Sequence, residues 1–484
     1  MKTTLAVLIA LMFALALPAG ALSWGGSSKP DFDAVSEEAA FGSATQLFQE
    51  TGRDKLAVVQ AFENFISQFP RSPRVVDAQF LIGESYLQHA LSILKSEATA
   101  KKTSTARLLA PKNPAAAKAL DDARKAFEEV VRDKKSGLAA SAQYRLGEVA
   151  YNDKDWEKAV VEFQDVDKNF PKSYINPEAL MGIIYSDLAL EQFSQAEANL
   201  FLLGETYPTF LREPTVLYAQ GIVALHKGDY ANAERALKEV KTADAQYYLG
   251  KTYLLSKRAY LAAAAFENLI RDYPDSELKE EAQFFIGDSF FLAEDFNGAI
   301  SKYQRFIQLY PDSPLRVSAL FRIGSSYFQK KDYVEARANF QAVLDRYPKD
   351  FFAPLAQFFI AESYLIAGQT REALFAYTKV ITQYPDAVKI APVAYFKLAW
   401  CQNQVGDFMQ AIQTGNNFVA QYPNHALAKN IYVIMANSQL SLKRYAEATT
   451  SFQRIIDLAP SSDIAEQALF SILKSQYDQK AFNS

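Results

Sequence analysis

Five dipeptides, Tyr310-Pro311, Tyr347-Pro348, Tyr384-Pro385, Tyr422-Pro423 and Ala459-Pro460, punctuate the second half of the chain at proline steps of 37, 37, 38 and 37 residues. Inside each unit a small residue comes first (Gly287, Gly324, Ala361, Ala399, Ala436), and an alanine follows twelve positions later (Ala299, Ala336, Ala373, Ala411, Ala448). A fixed period of this length signals an array of similar units, none able to bury its apolar face alone, so that neighbours must stack. A single-core globule is excluded by the same spacing.

With the small residue as position 0, an aromatic stands near +3, alanine at +12, an aromatic at +16 and proline at +24. Gly324, Tyr327, Ala336, Phe340 and Pro348 fill these positions, as do Gly287, Phe290, Ala299, Tyr303 and Pro311. Small residues let two helices approach, aromatics fill the space between them, and proline ends the second helix because it lacks an amide proton and clashes with the preceding turn. The pattern resembles the tetratricopeptide repeat, a pair of antiparallel helices. The resemblance implies an all-α solenoid with a continuous core.

Residues 1–21 read as a secretory signal peptide: Lys2, an apolar run from Leu5 to Leu17, and the small-residue site Ala19-Gly20-Ala21. Residues 22–33, with Gly25, Gly26, Ser27, Ser28 and Pro30, read as a flexible leader. No later stretch is apolar for long enough to span a bilayer. The formal net charge of −4, with both signs interleaved, gives no general attraction to nucleic acid or anionic lipid. Cys401 is the only cysteine, which excludes an intrachain disulfide, and beside Trp400 it reads as a small apolar core residue.

The helical period begins near Ala34. An N-terminal array covers 34–241 and a C-terminal array 242–460, giving about eleven helix pairs, and residues 461–484 supply a capping helix and tail. Two irregularities stand out. The unit opened by Phe80 and Gly83 finds its second-helix residues only at Ala123 and Phe127, so about 28 residues are inserted between its two helices; the insertion falls at about 95–118. Between Gly221 and Gly250 the step drops to 29 residues, which requires a linker shortened near Thr242. That shortening is either a bend between the arrays or a tight turn without function.

Motifs for chemistry are absent. His89, His226 and His425 lie in different units without ligand-spaced partners, and no phosphate-binding loop occurs. Acidic pairs such as Asp121-Asp122 and Glu280-Glu281 read as solvated helix starts, favoured by the helix dipole. The expectation is therefore a chain that is not an enzyme and takes no cofactor and no metal. Binding surface remains. An aromatic recurs three residues before the small position at Phe80, Tyr144, Tyr218, Tyr247, Phe284, Phe321, Phe358 and Phe396. These rings either form a partner-binding ladder or pack between helices, and apolar stripes at helical spacing usually belong to the core. The second candidate is the basic insertion loop, with Lys101, Lys102, Arg107 and Lys112, which reads as either a recognition loop or a solvated connection.

The phrases at Ala336–Asp350 and Phe69–Pro73, and the break between helices before an alanine-rich second helix at Lys95–Glu129, resemble two bacterial envelope families. These are the lipoprotein of the outer-membrane β-barrel assembly machine and the periplasmic coordinator of the Tol-Pal system. The resemblance implies an exported, periplasmic or outer-membrane-associated scaffold that binds other envelope proteins or peptides, with any membrane association peripheral and through a partner. A peptidoglycan- or glycan-binding module, stacking sugars on Tyr247 and Phe284, is the alternative.

Overall fold

The computed structural model describes residues 32–50, 54–100, 113–460 and 462–483. Among them are 23 α-helices and no strand. They run as eleven pairs followed by a single last helix, so that odd-numbered helices are the first of each pair. The pairs are α1 (Phe32–Gln49) with α2 (Lys55–Gln68), α3 (Val75–Ala100) with α4 (Pro114–Arg132), α5 (Ala139–Asn152) with α6 (Trp156–Asn169), and α7 (Asn176–Ala189) with α8 (Phe193–Thr206). Next come α9 (Pro214–His226) with α10 (Tyr230–Lys238), α11 (Ala243–Leu255) with α12 (Ala259–Asp272), and α13 (Lys279–Leu292) with α14 (Phe296–Leu309). The remaining pairs are α15 (Arg316–Gln329) with α16 (Tyr333–Arg346), α17 (Ala353–Ile366) with α18 (Thr370–Gln383), α19 (Ala391–Gln404) with α20 (Phe408–Gln421), and α21 (Ala428–Ser441) with α22 (Tyr445–Leu458); α23 (Asp463–Asn483) closes the series. The chain forms two compact units, Met1–Ile286 and Gly287–Ser484, divided within α13.

The small position works by close approach. A Cβ on Gly83, Gly147, Gly250, Gly287 or Gly324 would lie 2.5–2.8 Å from the ring of its own second helix, respectively Phe127, Phe163, Phe266, Tyr303 and Phe340. All five rings are buried. A second lock sits four residues before the small position: Gln143, Gln246 and Gln357 each donate to a second-helix carbonyl, of Glu162, Ala265 and Ala376, at 3.1–3.2 Å. From α5 onward the turn inside each pair uses one left-handed residue, such as Lys154, Glu294 or Lys331. In some pairs an aspartate follows it and caps the second helix, as Asp155, Asp295 and Asp332 do by accepting from the amides of Lys158, Gly298 and Glu335; Gln192, Arg258, Gln369 and Arg444 stand at that place in others, without a side-chain cap.

Several expectations need correction. The first helix starts at Phe32, two residues before the expected Ala34. The interruption in the second pair is helical at both its described ends: α3 runs 26 residues and α4 runs 19, against 14 in most helices, so 95–100 and 114–118 extend the two helices. Asn113 caps α4 by accepting from the amides of Ala115 and Ala116, with Pro114 at the first helical position, where its missing amide costs nothing. Lys101, Lys102, Arg107 and Lys112 lie outside the described residues, as does the signal segment. The short step near Thr242 comes mainly from the second helix itself, since α10 has nine residues instead of 14; Thr242 then caps α11 directly, accepting from the Ala245 amide. Glu280 and Glu281 do sit in the first turn of α13, but they are not a solvated helix start, since Glu280 is buried and Glu281 half-buried. Asp121, by contrast, lies mid-helix in α4 and pairs with Arg124 and, at 2.7 Å, with Lys125.

A candidate partner-binding face on the first helices

The eight recurrent rings of the first helices lie mostly inside the pairs. Phe80, Tyr144, Tyr218, Tyr247, Phe284 and Phe321 are 1–8% exposed; Phe358 and Phe396 are half-buried. Their neighbours are core. Phe80 meets Phe127, Tyr144 meets Phe163, Tyr247 meets Phe266, Phe321 meets Phe340 and Phe358 meets Tyr377, with ring centroids 5.3–5.9 Å apart. In each case the partner is the second-helix ring of the same pair. A ring enclosed by its own pair has little area left for a partner, so the buried members form packing and not a groove.

The first helices of successive pairs touch one another, as α5 with α7, α7 with α9, α9 with α11, and α19 with α21. On them, one residue past the small position of one pair faces the residue two before the small position of the next. Charge is matched there repeatedly. In the first unit Arg145 donates through Nε to Glu84 Oε1 at 2.5 Å and also binds Glu148. In the second unit Arg322 Nε lies 3.1 Å from Asp288 Oδ1, and Lys397 Nζ lies 3.1 Å from Glu362 Oε1. Those two carboxylates are also reached from behind by second-helix tyrosines: Tyr303 donates to Asp288 at 2.5 Å, and Tyr377 donates to Glu362. Lys251 fills the same place differently, its ammonium 4.9 Å from the centre of the Phe285 ring.

The electrostatics differ along the array. The Glu84–Arg145–Glu148 group is buried, and two carboxyls share one guanidinium. Burial pushes Glu148 up to about 6 against the pull of Arg145. Burial alone would lower Arg145, but Glu148 and Glu84 together more than reverse this and hold it charged. Tyr303 and Tyr377 are pushed far above the ordinary phenol range, first by burial and then by the carboxylates they bond, so both remain donors at any physiological pH. The two second-unit cations are more open: the side chains of Arg322 and Lys397 are 42% and 30% exposed. Near them on the first helices stand the accessible apolar residues Trp400, 39% exposed, and Ile366, 53% exposed. The face therefore presents cations already held in place by their own carboxylates, with apolar surface alongside. Such an arrangement can dock a peptide or helix through charged hydrogen bonds and a few apolar anchors.

Among the described residues no group of three or more His, Cys, Asp or Glu side chains is placed to hold a metal ion, and no helix is long and apolar enough to cross a membrane. Sequence reading missed the matched charges because their members belong to different pairs. The spacing of 34 residues for 288/322 and 35 for 362/397 recurs. A search for acid at +1 followed by base at −2 of the next unit would have found them.

Family models for the tetratricopeptide repeat match residues 113–174 and 261–314, and a second such model matches 244–276 and 432–462. A model described as outer membrane lipoprotein matches residues 315–437. The chain thus carries tetratricopeptide repeats, together with a segment similar to the outer membrane lipoprotein family. Among solved structures, the MamA protein is 22% identical over 36% of this chain and 94% of its own, with a TM-score of 0.31. A tetratricopeptide repeat protein from Parabacteroides merdae is 10% identical over 53% of this chain and 99% of its own, at 0.39. The apo form of RapI is 12% identical over 71% of this chain and 98% of its own, at 0.44. No curated protein matches the chain.

Proposed function

We infer that this protein is a non-enzymatic scaffold of the bacterial cell envelope, exported to the periplasm or the periphery of the outer membrane, where it holds another envelope protein on the first-helix face of its second unit. One observation carries the reading. Residues 315–437, similar to the outer membrane lipoprotein family, include Arg322, Ile366, Lys397 and Trp400, accessible charged and apolar side chains of that face, together with Glu362, which holds Lys397. Holding each cation on a carboxylate restricts its rotamers before binding, which lowers the entropy cost of docking. Binding then needs little rearrangement of the helices.

Sugar stacking on Tyr247 and Phe284 has no support, because both rings are buried. The test is affinity capture from envelope fractions with wild type and with the double variant Arg322→Glu, Lys397→Glu. A partner captured by wild type and lost by the double variant, with helical circular dichroism unchanged, supports the assignment. Undiminished capture by the variant overturns it.

A further inference from the structure

Helix α23 packs on the eleventh pair as a first helix would. Its register is set by what it buries. Ala465, Ala468 and Ile472 are 2–7% exposed. The latter two pack on Ala436, Ala448, Phe452 and Ile455 of the preceding pair. Ala468 and Ile472 thereby repeat the roles of Ala356 and Ile360 in α17, which places Leu473 at the small position. The face that a second helix would cover is left open. Leu469, Phe470, Leu473 and Tyr477 are 55%, 69%, 60% and 73% exposed, whereas their counterparts in α17 at the first three places are Gln357, half-buried Phe358 and fully buried Ala361. A leucine stands where other pairs require glycine or alanine, so a regular second helix cannot close onto this face as Phe340 closes onto Gly324.

The exposed face also has a symmetry of its own. Phe470 lies at its centre. Glu466 and Lys474 stand four residues to either side, and Asp463 and Tyr477 stand seven to either side, all exposed. Spacings of four and seven keep all five on one helical stripe. A twofold axis through Phe470 therefore sets Glu466 of one copy against Lys474 of the other, and Asp463 against the hydroxyl of Tyr477, with the two Phe470 rings in contact and the leucines beside them. This is the self-complementarity that an isologous interface demands. Two aromatics about 70% exposed leave roughly 100–175 Å² each. With the leucines the apolar area is on the order of 400 Å² per copy, about half that of a standard stable interface. The expected association is accordingly micromolar.

We propose that the outward face of α23 is a homodimerisation surface, pairing antiparallel with α23 of a second copy about an axis through Phe470. Sedimentation equilibrium of the full chain tests this. Wild type should show a monomer–dimer equilibrium in the range of about 1–100 μM. Phe470→Glu should raise the dissociation constant at least tenfold without changing the melting curve, since the ring is exposed. Glu466→Lys and Lys474→Glu should each weaken the dimer, and the two together should restore it. A chain that is monomeric throughout that range overturns the proposal. So does a dimer indifferent to Phe470→Glu, or one that the double charge exchange fails to restore.

Discussion

Replacing Gly287 by alanine adds a methyl group where there is no room for one. Its carbon would lie 2.5, 2.6 and 2.9 Å from three atoms of the Tyr303 ring. That ring cannot easily retreat: it is fully buried, and its hydroxyl is tied to Asp288. Overpacking of this kind costs about 1–3 kcal/mol, and the better helix propensity of alanine returns roughly 0.5–1 kcal/mol. The net loss should be about 1–2 kcal/mol. Gly42, in α1, is the internal control, because a Cβ there meets nothing within 4 Å. Gly42→Ala should therefore gain roughly 0.5–1 kcal/mol. Arrays lose structure regionally, so peptide-resolved amide hydrogen exchange is the suitable assay. Peptides from 287–309 should exchange about tenfold faster in Gly287→Ala, at 1.4 kcal/mol per decade, while α1 peptides should exchange more slowly in Gly42→Ala. Equal stabilisation by both substitutions would refute the close-approach account of the small position.

Four further outcomes are expected. Glu148 titrates at about 6 in the folded chain, above its ordinary 4.5, so the folded state retains a proton that the unfolded state releases; its contribution to stability is full below about 4.5 and is lost as pH rises through about 6. Asp187 shares this window, so the measurement is the difference between wild type and Glu148→Gln, whose urea midpoint should fall less between pH 4.5 and 7. Tyr377→Phe removes the buried donor to Glu362 and should cost about 1–2 kcal/mol; Lys397→Ala removes a donor to the same carboxylate from a side chain that is 30% exposed and should cost under about 1 kcal/mol, and thermal melts should rank the two in that order. Lys331→Gly relieves a left-handed backbone (φ 63°) and should raise stability by about 0.5–1 kcal/mol in the same melts. Cys401 is fully buried and burial pushes its thiol up to about 12, so a thiol reagent such as dithionitrobenzoate should react only at the rate of unfolding.

The pairing of helices was legible because Gly, Ala, aromatic and Pro each have one physical task at one position, and the tasks recur. The role of Phe321 was half-legible. Its period fits a ladder of rings and a core stripe equally well, and only the Phe340 and Phe359 rings against it decide the matter. The extension of α3 and α4 was hidden by the lysines and prolines between them, although Asn113-Pro114 is a helix-start signal and the flanking alanines favour helix. The 29-residue step told that something was missing near Thr242, but length alone could not say whether helix or linker had been shortened. Least visible were Asp288–Arg322 and Glu362–Lys397. The acid and the base of each ion pair belong to different helix pairs, and their contact depends on how one pair is rotated onto the next.

The central claim is that partners meet the first helices, one residue past the small position, and not the aromatic positions inside the pairs. A photoreactive phenylalanine analogue at Ser325, Glu362, Trp400 and Asn437, compared in living cells with Val334, Phe375 and Met409 on the exposed second-helix side, tests it directly. Crosslinks concentrated at the first four positions, to the same partner, are the predicted result. Crosslinks concentrated at the last three would contradict the account.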